Sequence, residues 1–457
     1  MGAITATSLG DAAFKSDYGI KYAYLAGAMY KGIASKELVT ALGKAGLMGY
    51  LGTGGMRFED IEASIRHIQS HLLPGQAYGM NMLSSLDRPE LEERTVDLYF
   101  KHGIRRIEAA AYIRISPSLV RYRLKGITRN SSGDIQTPHS ILAKVSRPEV
   151  ATAFMQPPPE PMVRNLVSAG VITAEQAQLS ASIPLAEDVC VESDSGGHTD
   201  QGVALALLPA MILLRDSLMA RYRYEKRIRV GAAGGIGTPH AAAAAFMMGA
   251  DFILTGSINQ CTQEAGTSDA VKDLLQEINV QDTAYAPAGD MFELGAKVQV
   301  ARRGLFFAAR ANKLYELYQR HGALEEIDAR TRAQIEEKYF KRSFEDVWRE
   351  TRAYYQTAMP QKMHEIESNP KQKMALIFKW YFVHTTRLAM HGVNEQKVDY
   401  QIHCGPALGA FNQWVQDTEL RVWRNRRVAD LGKRIMNGTA ELMNARFAAL
   451  TSPLEAK

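Results

Sequence analysis

A histidine preceded by two glycines is the most reactive feature of this sequence. His198 follows Gly196 and Gly197 directly. An imidazole can give or take a proton near neutral pH, and two glycines let the backbone before it lie close over a flat ligand. His198 is therefore a candidate acid, and Asp194 and Asp200 could orient its ring. The alternative is a loop histidine that only bonds backbone or a phosphate.

A lysine in an apolar run is the second candidate. Lys144 lies between Leu142, Ala143 and Val145, which read as a buried strand. An interior ammonium is costly unless it has a partner. The sequence leaves three interpretations open: a cation that faces a bound ligand, an ion pair with Glu108 or Glu192, or a surface lysine at the end of a strand.

Two glycine loops follow consecutive apolar runs and are suited to an anion. The first run starts at Val230 and the second at Asp251. Free backbone N–H groups and a helix dipole attract phosphate at such loops, although the spacing is not that of a dinucleotide-binding fingerprint. The predicted phosphate-binding residues are Gly234, Gly235, Gly237, Gly256 and Ser257.

Eight strand-like runs, each followed by a helix-like segment, must position these residues. Such alternation predicts an α/β fold, a closed (β/α)8 TIM barrel, in which the carboxyl ends of all strands meet at one mouth. A flavin mononucleotide (FMN) would use the residue types at that mouth. Amide-type partners for its pyrimidine edge would come from Asn81 and from the backbone near Gly27, Ala28 and Met29, and a cation near N1 from Lys144.

A helical domain is predicted after the barrel. We expect an FMN-binding barrel over residues 1–268 and an all-helical substrate and carrier domain over residues 269–457. The aromatic residues of the second domain are expected to form its core. The predicted helices are Leu294 to Arg303, Ala311 to Arg320, Arg330 to Arg342, Phe344 to Tyr355, Lys371 to His391 and Arg421 to Ala449.

Composition narrows the class of protein. The 457 residues are 46% hydrophobic and carry a net charge of +5. There is no apolar run long enough for a membrane span and no signal peptide pattern, so we expect a cytoplasmic protein with no membrane or nucleic-acid partner. The three cysteines are far apart and lack metal-ligand spacing. A basic run near the C-terminus reads as a solvated face or as a docking site for an acidic partner; it comprises Arg421, Arg424, Arg426, Arg427, Lys433 and Arg434.

Several motifs resemble one family of flavin-dependent barrels. Gly79-Met-Asn81, the Glu192 to Thr199 loop, Ala232 to Ile236 and Gly249 to Gly256 resemble the nitronate monooxygenase superfamily, which also contains a bacterial FMN-dependent enoyl reductase. Three later motifs are similar to the trans-acting enoyl reductases of polyketide and polyunsaturated fatty acid synthases; they are Gly289 to Gln299, Ala311 to Tyr318 and Cys404 to Trp414.

The resemblance implies an activity and a set of site residues. In that family the barrel binds FMN, NADPH reduces it, and the substrate is an α,β-unsaturated thioester on an acyl carrier protein. The cofactor-binding residues implied are Gly27, Ala28, Met29, Asn81, Lys144, Gly197, Gly234, Gly235, Gly237, Gly256 and Ser257, with His198 and Lys144 as catalytic residues. A homodimer is compatible with the sequence.

Two other functions stay open from the sequence. One is a nitronate monooxygenase-type FMN oxidase of a small molecule, for which the large helical domain has no obvious use. The other is a non-catalytic docking member of a synthase, against which the intact Gly-Gly-His and phosphate loops argue.

Overall fold

A computed structural model describes residues 3–85 and 88–451, apart from the side chain of Lys362. The chain forms two compact units. The first unit comprises residues up to 194, residues 201–266 and residues from 414 onward. The second unit comprises residues 195–200 and 267–413.

Eight parallel strands close a barrel in the first unit, as the sequence predicts. They are β1 (Tyr24–Ala26), β2 (Met48–Leu51), β3 (Gly79–Leu83), β4 (Arg106–Ala110), β7 (Ser140–Val145), β8 (Asp188–Glu192), β10 (Arg229–Ala233) and β11 (Ile253–Thr255). Their order around the barrel is β1-β11-β10-β8-β7-β4-β3-β2. Short apolar runs with buried strand interiors produce this arrangement, because a parallel barrel buries both faces of each strand.

Helices and a small hairpin complete the first unit. The hairpin pairs β5 (Thr128–Arg129) with β6 (Ile135–Gln136). Within residues 3–85 and 88–451, no helix is both long enough and apolar enough to cross a membrane. The helices of this unit are α1 (Ala12–Tyr18), α2 (Lys36–Lys44), α3 (Phe58–His71), α4 (Pro89–Lys101), α5 (Pro117–Leu124), α6 (Pro148–Met155), α7 (Glu160–Ser168), α8 (Ala174–Ser180), α9 (Ala204–Tyr222), α10 (Pro239–Met247), α11 (Ser257–Gln260) and α19 (Val428–Thr451).

Helix α1 packs under the amino ends of the barrel strands. Phe14 stacks on Phe252 with ring centroids 4.3 Å apart. The Tyr18 hydroxyl donates to Oδ2 of Asp188 at 2.8 Å, and Nε of Arg229 donates to Oδ1 of the same carboxylate at 2.6 Å. This buried ion pair and the apolar side chains around it fill the amino end, so a ligand site must use the carboxyl ends of the strands.

The second unit is not all helical, which corrects the sequence prediction. A three-stranded antiparallel sheet has the order β12-β13-β9, formed by β12 (Thr283–Pro287), β13 (Lys297–Ala301) and β9 (Gly197–His198). The predicted helix from Leu294 to Arg303 is strand β13. Val298 and Val300 alternate with polar neighbours at period two, and Gly295 before them has φ of +69°, so a turn and a strand are favoured over a helix.

The helices of the second unit pack around an aromatic core, as predicted. Phe340, Tyr381 and Phe382 are buried, whereas Tyr354 is exposed. The helices are α12 (Asp269–Leu275), α13 (Phe307–Arg320), α14 (Ala329–Gln334), α15 (Phe344–Ala358), α16 (Met363–Ser368), α17 (Pro370–His391) and α18 (Pro406–Trp414), with a π-helical turn at Ile335–Phe340.

The C-terminal segment belongs to the barrel unit, so the expected second domain of residues 269–457 differs from the compact unit. The long helix α19 begins at Val428 and not at Arg421. Two glycines let this helix approach the rest of the barrel unit closely. A Cβ on Gly432 would lie 2.9 Å from the Tyr24 ring, and a Cβ on Gly438 would lie 2.7 Å from Pro239. The periodicity of a helix does not show which neighbour it packs against.

Candidate active site

Three charged side chains meet at the carboxyl ends of neighbouring strands. Nζ of Lys144, on β7, lies 3.5 Å from Oε1 of Glu108 on β4 and 3.3 Å from Oε1 of Glu192 at the end of β8. Glu108 is completely buried. The ion pairs with Glu108 and Glu192, which the sequence left as one alternative for Lys144, are both present.

Burial and neighbouring charges shift the pKa values of this cluster in opposite directions. Burial alone would lower the pKa of the Lys144 ammonium, but the carboxylates of Glu192 and Glu108 outweigh it, and the pKa is raised. Burial raises the pKa of Glu108, although Lys144 and the Ala28 N–H act against it. Lys144 therefore stays protonated at neutral pH, and its charge is shared with two carboxylates.

Two of the predicted cofactor residues, Ala28 after β1 and Asn81 on β3, contact the same glutamate. The Ala28 N–H donates to Oε2 of Glu108 at 2.9 Å. The Asn81 side chain donates to the backbone carbonyl of Glu108 at 3.0 Å, since these two residues are paired across β3 and β4. The N–H of Gly27 donates to the carbonyl of Thr255 at 3.0 Å. The structure therefore brings Gly27, Ala28, Asn81 and Lys144 together around Glu108.

The backbone at Met29 is fixed by a glycine of the next loop. A Cβ placed on Gly52 would lie only 1.6 Å from the Met29 carbonyl oxygen, a distance that no side chain could tolerate. The N–H of Gly52 donates to the carbonyl of Ala34. The loops after β1 and β2 thus form one packed rim, with the half-buried Met29 in it.

The two glycine loops leave the same end of adjacent strands. Strands β10 and β11 are paired through Ala233 and Leu254. Gly234 and Gly235 have φ of +84° and +74°. A Cβ on Gly234 would collide with the Ser193 carbonyl at 2.6 Å. Glycine is therefore required to turn the chain here.

These loops also leave room for a ligand. A Cβ on Gly235 or on Gly256 would meet no atom within 4 Å. Helix α10 begins just after the first loop, and its N-cap Thr238 accepts from the Ala241 N–H at 3.3 Å. Backbone N–H groups and a helix amino end beside open space fit a phosphate group. Gly237 is buried in the first loop, and Ser257 opens α11 directly after Gly256.

His198 lies in the second unit, on the edge strand β9. Its partner across the sheet is Val298 of β13. Nε2 of His198 lies 2.8 Å from Oδ1 of Asp290. Hydrogen bonding to His198 lowers the pKa of the Asp290 carboxyl, although burial acts in the other direction. The sequence pointed to Asp194 and Asp200 as orienting groups and missed Asp290, which is 92 positions away in the chain.

The two glycines before His198 allow a close backbone contact that the sequence did not predict. A Cβ on Gly196 would lie 2.7 Å from the backbone N of Gly405. Gly197 has φ of +85° and would place a Cβ 3.6 Å from Nδ1 of His403. Burial and the charge of His198 lower the pKa of His403 to about 4. The glycines therefore let the His198 strand lie directly against the segment that carries a second, neutral histidine.

Comparison with protein families gives two matches. Residues 13–291 match the nitronate monooxygenase family. Residues 321–400 match the inserted helical domain of [acyl-carrier-protein] S-malonyltransferase.

Among the relatives are polyketide biosynthesis proteins and subunits of a polyunsaturated fatty acid synthase. The chain is 57% identical over 98% of its length to the polyketide biosynthesis protein PksE of Bacillus subtilis, of which it covers 58%. It is 52% identical to ThaF of Burkholderia thailandensis, with 97% of this chain and 38% of ThaF covered. It is 41% identical to a polyunsaturated fatty acid synthase protein of Thraustochytrium, with 91% of this chain and 28% of that protein covered. The chain thus spans only part of these relatives.

Solved structures agree with this relationship. The enoyl reductase domain of MlnA from the macrolactin cluster of Bacillus amyloliquefaciens is 46% identical, with a TM-score of 0.94, over 97% of this chain and 99% of that one. FabK from Thermotoga maritima shares the fold, with a TM-score of 0.56 at 15% identity over 96% and 98% of the chains. The chain therefore belongs to the nitronate monooxygenase family and, within it, to the group that includes the MlnA enoyl reductase domain and the matching regions of polyketide and polyunsaturated fatty acid synthase proteins.

Proposed function

We propose that this protein is an FMN-dependent enoyl reductase that uses NADPH to reduce the α,β-double bond of enoyl thioesters carried on an acyl carrier protein, in trans, during polyketide or polyunsaturated fatty acid synthesis. The observation that carries the proposal is the match to the MlnA enoyl reductase domain, which extends over nearly the whole of both chains. A general nitronate monooxygenase barrel would account for residues 13–291 only.

The residues at the barrel mouth fit FMN. Gly235 and Gly256 border space that a Cβ would enter, so their loops can approach a phosphate, and Gly234, Gly237 and Ser257 lie beside them. Asn81 and the backbone of Gly27, Ala28 and Met29 supply amide groups for the flat ring. We assign these residues, together with Lys144 and Gly197, to cofactor binding.

In this proposal Lys144 stabilises negative charge on the cofactor less than an unpaired cation would, because two carboxylates already share its charge. Its ammonium is shared between two carboxylates, so the cluster with Glu108 and Glu192 carries a net charge of −1 when both are ionised. Protonation of one carboxylate would leave it neutral. Lys144 therefore offsets local negative charge and holds a hydrogen-bond donor in place, because the carboxylates fix its ammonium.

Bound FMN, reduced by NADPH, would supply the hydride that is added to the β-carbon of the enoyl thioester. The protein must hold the thioester, exclude water and provide a proton for the α-carbon. We assign the proton to His198, whose Nε2 lies 2.8 Å from Oδ1 of Asp290. Such general acid catalysis contributes about 10²–10⁴-fold to a rate.

The proposed partners follow from the relatives. PksE is named as a polyketide biosynthesis protein and the Thraustochytrium relative as a polyunsaturated fatty acid synthase subunit, so we propose that carrier-bound chains of such an assembly are the substrate. The helical segment at residues 321–400, which matches a domain of a carrier-protein acyltransferase, supports the same class of partner.

The decisive experiment measures the two half-reactions separately. The purified protein is loaded with FMN and reduced with NADPH under anaerobic conditions, and the flavin absorbance is followed. Crotonyl-carrier protein is then added, and mass spectrometry records the acyl chain. Fast reoxidation with a gain of two hydrogens supports the proposal. Reoxidation by a nitroalkane but not by enoyl thioesters would instead assign a nitronate monooxygenase activity, and failure to bind FMN would leave a docking protein.

A further inference from the structure

We propose that Asp290 is a positioning residue that holds the Nε2–H of His198, so that Nδ1 is the nitrogen that gives its proton to the substrate. This inference rests on the proposed function, since that function makes His198 the acid. Nothing in the local sequence around His198 points to Asp290; the fold joins them through the sheet of the second unit.

Both members of the pair are held by backbone contacts. His198 is paired with Val298 across β9 and β13, and the neighbouring N–H of Thr199 donates to the carbonyl of Lys297. The Asp290 loop is anchored at Gly289, where a Cβ would lie 2.7 Å from Cβ of Phe382. The fold therefore brings the backbones of His198 and Asp290 together, and their partly exposed side chains meet at 2.8 Å.

The chemistry of the carboxylate fixes the proton on one ring nitrogen. An ionised aspartate accepts hydrogen bonds only, so Nε2 of His198, 2.8 Å away, must carry a hydrogen. A change in the protonation of His198 then takes place at Nδ1. The carboxylate also favours the imidazolium, which is the form that an acid needs.

A second histidine, His403, lies near His198 and does not compete for this role. His403 comes next to it from the segment after α17 and is neutral at neutral pH, because burial and the charge of His198 lower its pKa to about 4. The side-chain amide of Gln401 lies 2.8 Å from Nε2 of His403 and orients that ring. Asp194 and Asp200 flank His198 in the sequence, and Lys297 is the charged residue of β13.

The proposed step balances in atoms and electrons. As a hydride reaches the β-carbon, the electron pair of the double bond moves toward the α-carbon and the thioester oxygen. A new C–H bond forms at the α-carbon with the proton from Nδ1, and the Nδ1–H bond of His198 breaks. Neutral imidazole remains, with Nε2–H still on Asp290, and solvent water restores the imidazolium.

The test compares Asp290→Asn with Glu293→Gln, which removes the same charge from the same segment but at a residue paired with Lys379 at 3.1 Å. The titration of His198 is followed by NMR in the protein without substrate, with His198→Gln used for assignment. Because the pair is partly exposed, we expect the midpoint to fall by about half a pH unit in Asp290→Asn only. At pH values above this midpoint, the rate of reduction of carrier-bound enoyl substrate by Asp290→Asn should then fall about threefold. Reduction of the flavin by NADPH, and the rate of enoyl reduction at low pH, should be unchanged.

Further readouts separate the two proposals. A long-range proton–nitrogen spectrum of the unmodified protein should place the hydrogen of neutral His198 on Nε2, and a hydrogen on Nδ1 would overturn the inference without any variant. An unmoved titration in Asp290→Asn, with normal enoyl turnover in the unmodified protein, would overturn the role of Asp290 and leave the proposed function intact. A shifted titration in a protein that reduces no enoyl thioester would overturn the proposed function and the proton transfer.

Discussion

Removal of the Lys144 ammonium should destabilise the barrel strongly. Lys144→Met keeps the length of the side chain but leaves Glu108, which is fully buried, and Glu192 without the cation that lies 3.5 and 3.3 Å from them. Breaking a buried ion pair from one side costs about 3–5 kcal/mol. Because Glu192 is partly exposed and Glu108 can take up a proton, we expect a loss of about 3 kcal/mol in the free energy of unfolding at pH 7.5.

The pH dependence of this loss has a definite sign. The pKa of Glu108 is already raised by burial, and without Lys144 it must rise further. A carboxyl whose pKa is higher in the folded than in the unfolded protein destabilises the fold at high pH, and the penalty disappears as the pH falls toward the unfolded value of about 4.3. The deficit of Lys144→Met should therefore shrink between pH 7.5 and pH 5.

Urea unfolding followed by circular dichroism measures both effects. Lys36→Met is the matched control, because Lys36 forms an exposed pair with Glu37 at 3.8 Å and should cost at most about 0.5 kcal/mol. The double variant Lys144→Met/Glu108→Gln should recover at least half of the loss. A deficit below about 1 kcal/mol that does not change with pH would show that the cluster is not a buried ion pair.

Four other perturbations have expected outcomes. Gly235→Leu should abolish FMN retention, measured by flavin absorbance after gel filtration, whereas Gly170→Leu, with a similar positive φ and open space, should retain it; equal occupancy would place the phosphate elsewhere. His198→Ala should leave reduction by NADPH nearly normal and slow enoyl reduction by about 10²–10⁴-fold in stopped-flow traces, and equal rates in both half-reactions would exclude it as the acid. The double variant Arg424→Glu/Arg427→Glu should weaken turnover of carrier-bound substrate at low salt but not turnover of free thioesters. Arg426→Met should lower the urea concentration at the midpoint of unfolding, because Arg426 is buried. An Arg426→Met variant as stable as the unmodified protein would contradict the burial of that residue.

The barrel could be predicted because its signal is local. Each strand is a short apolar run that ends in small or charged residues, and the residues at those ends converge in any closed parallel barrel. This is why Asn81 and Lys144 were identified from the sequence, and both lie at Glu108 in the structure. Glu108 and Glu192 were predicted as alternative partners of Lys144. Both pair with it, because their strands β4 and β8 lie on either side of β7 in the barrel.

Other features depend on contacts between distant segments. Arg426 belongs to a basic run that reads as a solvated face, yet it is fully buried, because its guanidinium donates to the carbonyl of Leu420 at 2.7 Å and to Sγ of Cys261 at 3.2 Å. The partnership of His198 with Asp290 requires strand pairing across about 90 residues. Charge patterns and periodicity carry no information about such pairings, so they could not reveal either feature.

Because the chain returns to the barrel unit after residue 413, the barrel unit cannot be completed early in translation or isolated by a simple C-terminal truncation. Strand β1 and helix α10 are complete early, but the helix that covers Tyr24 and Pro239 is α19, at Val428–Thr451. A ribosome must therefore release the chain as far as α19 before the first unit can bury these surfaces, and the inserted unit is free to fold before its host is finished. A shortened protein that stops near residue 268 would keep every barrel strand and still expose an apolar seam. Excision of residues 267–413 with joining of their flanks would instead keep α19 in the same chain as the strands that it covers.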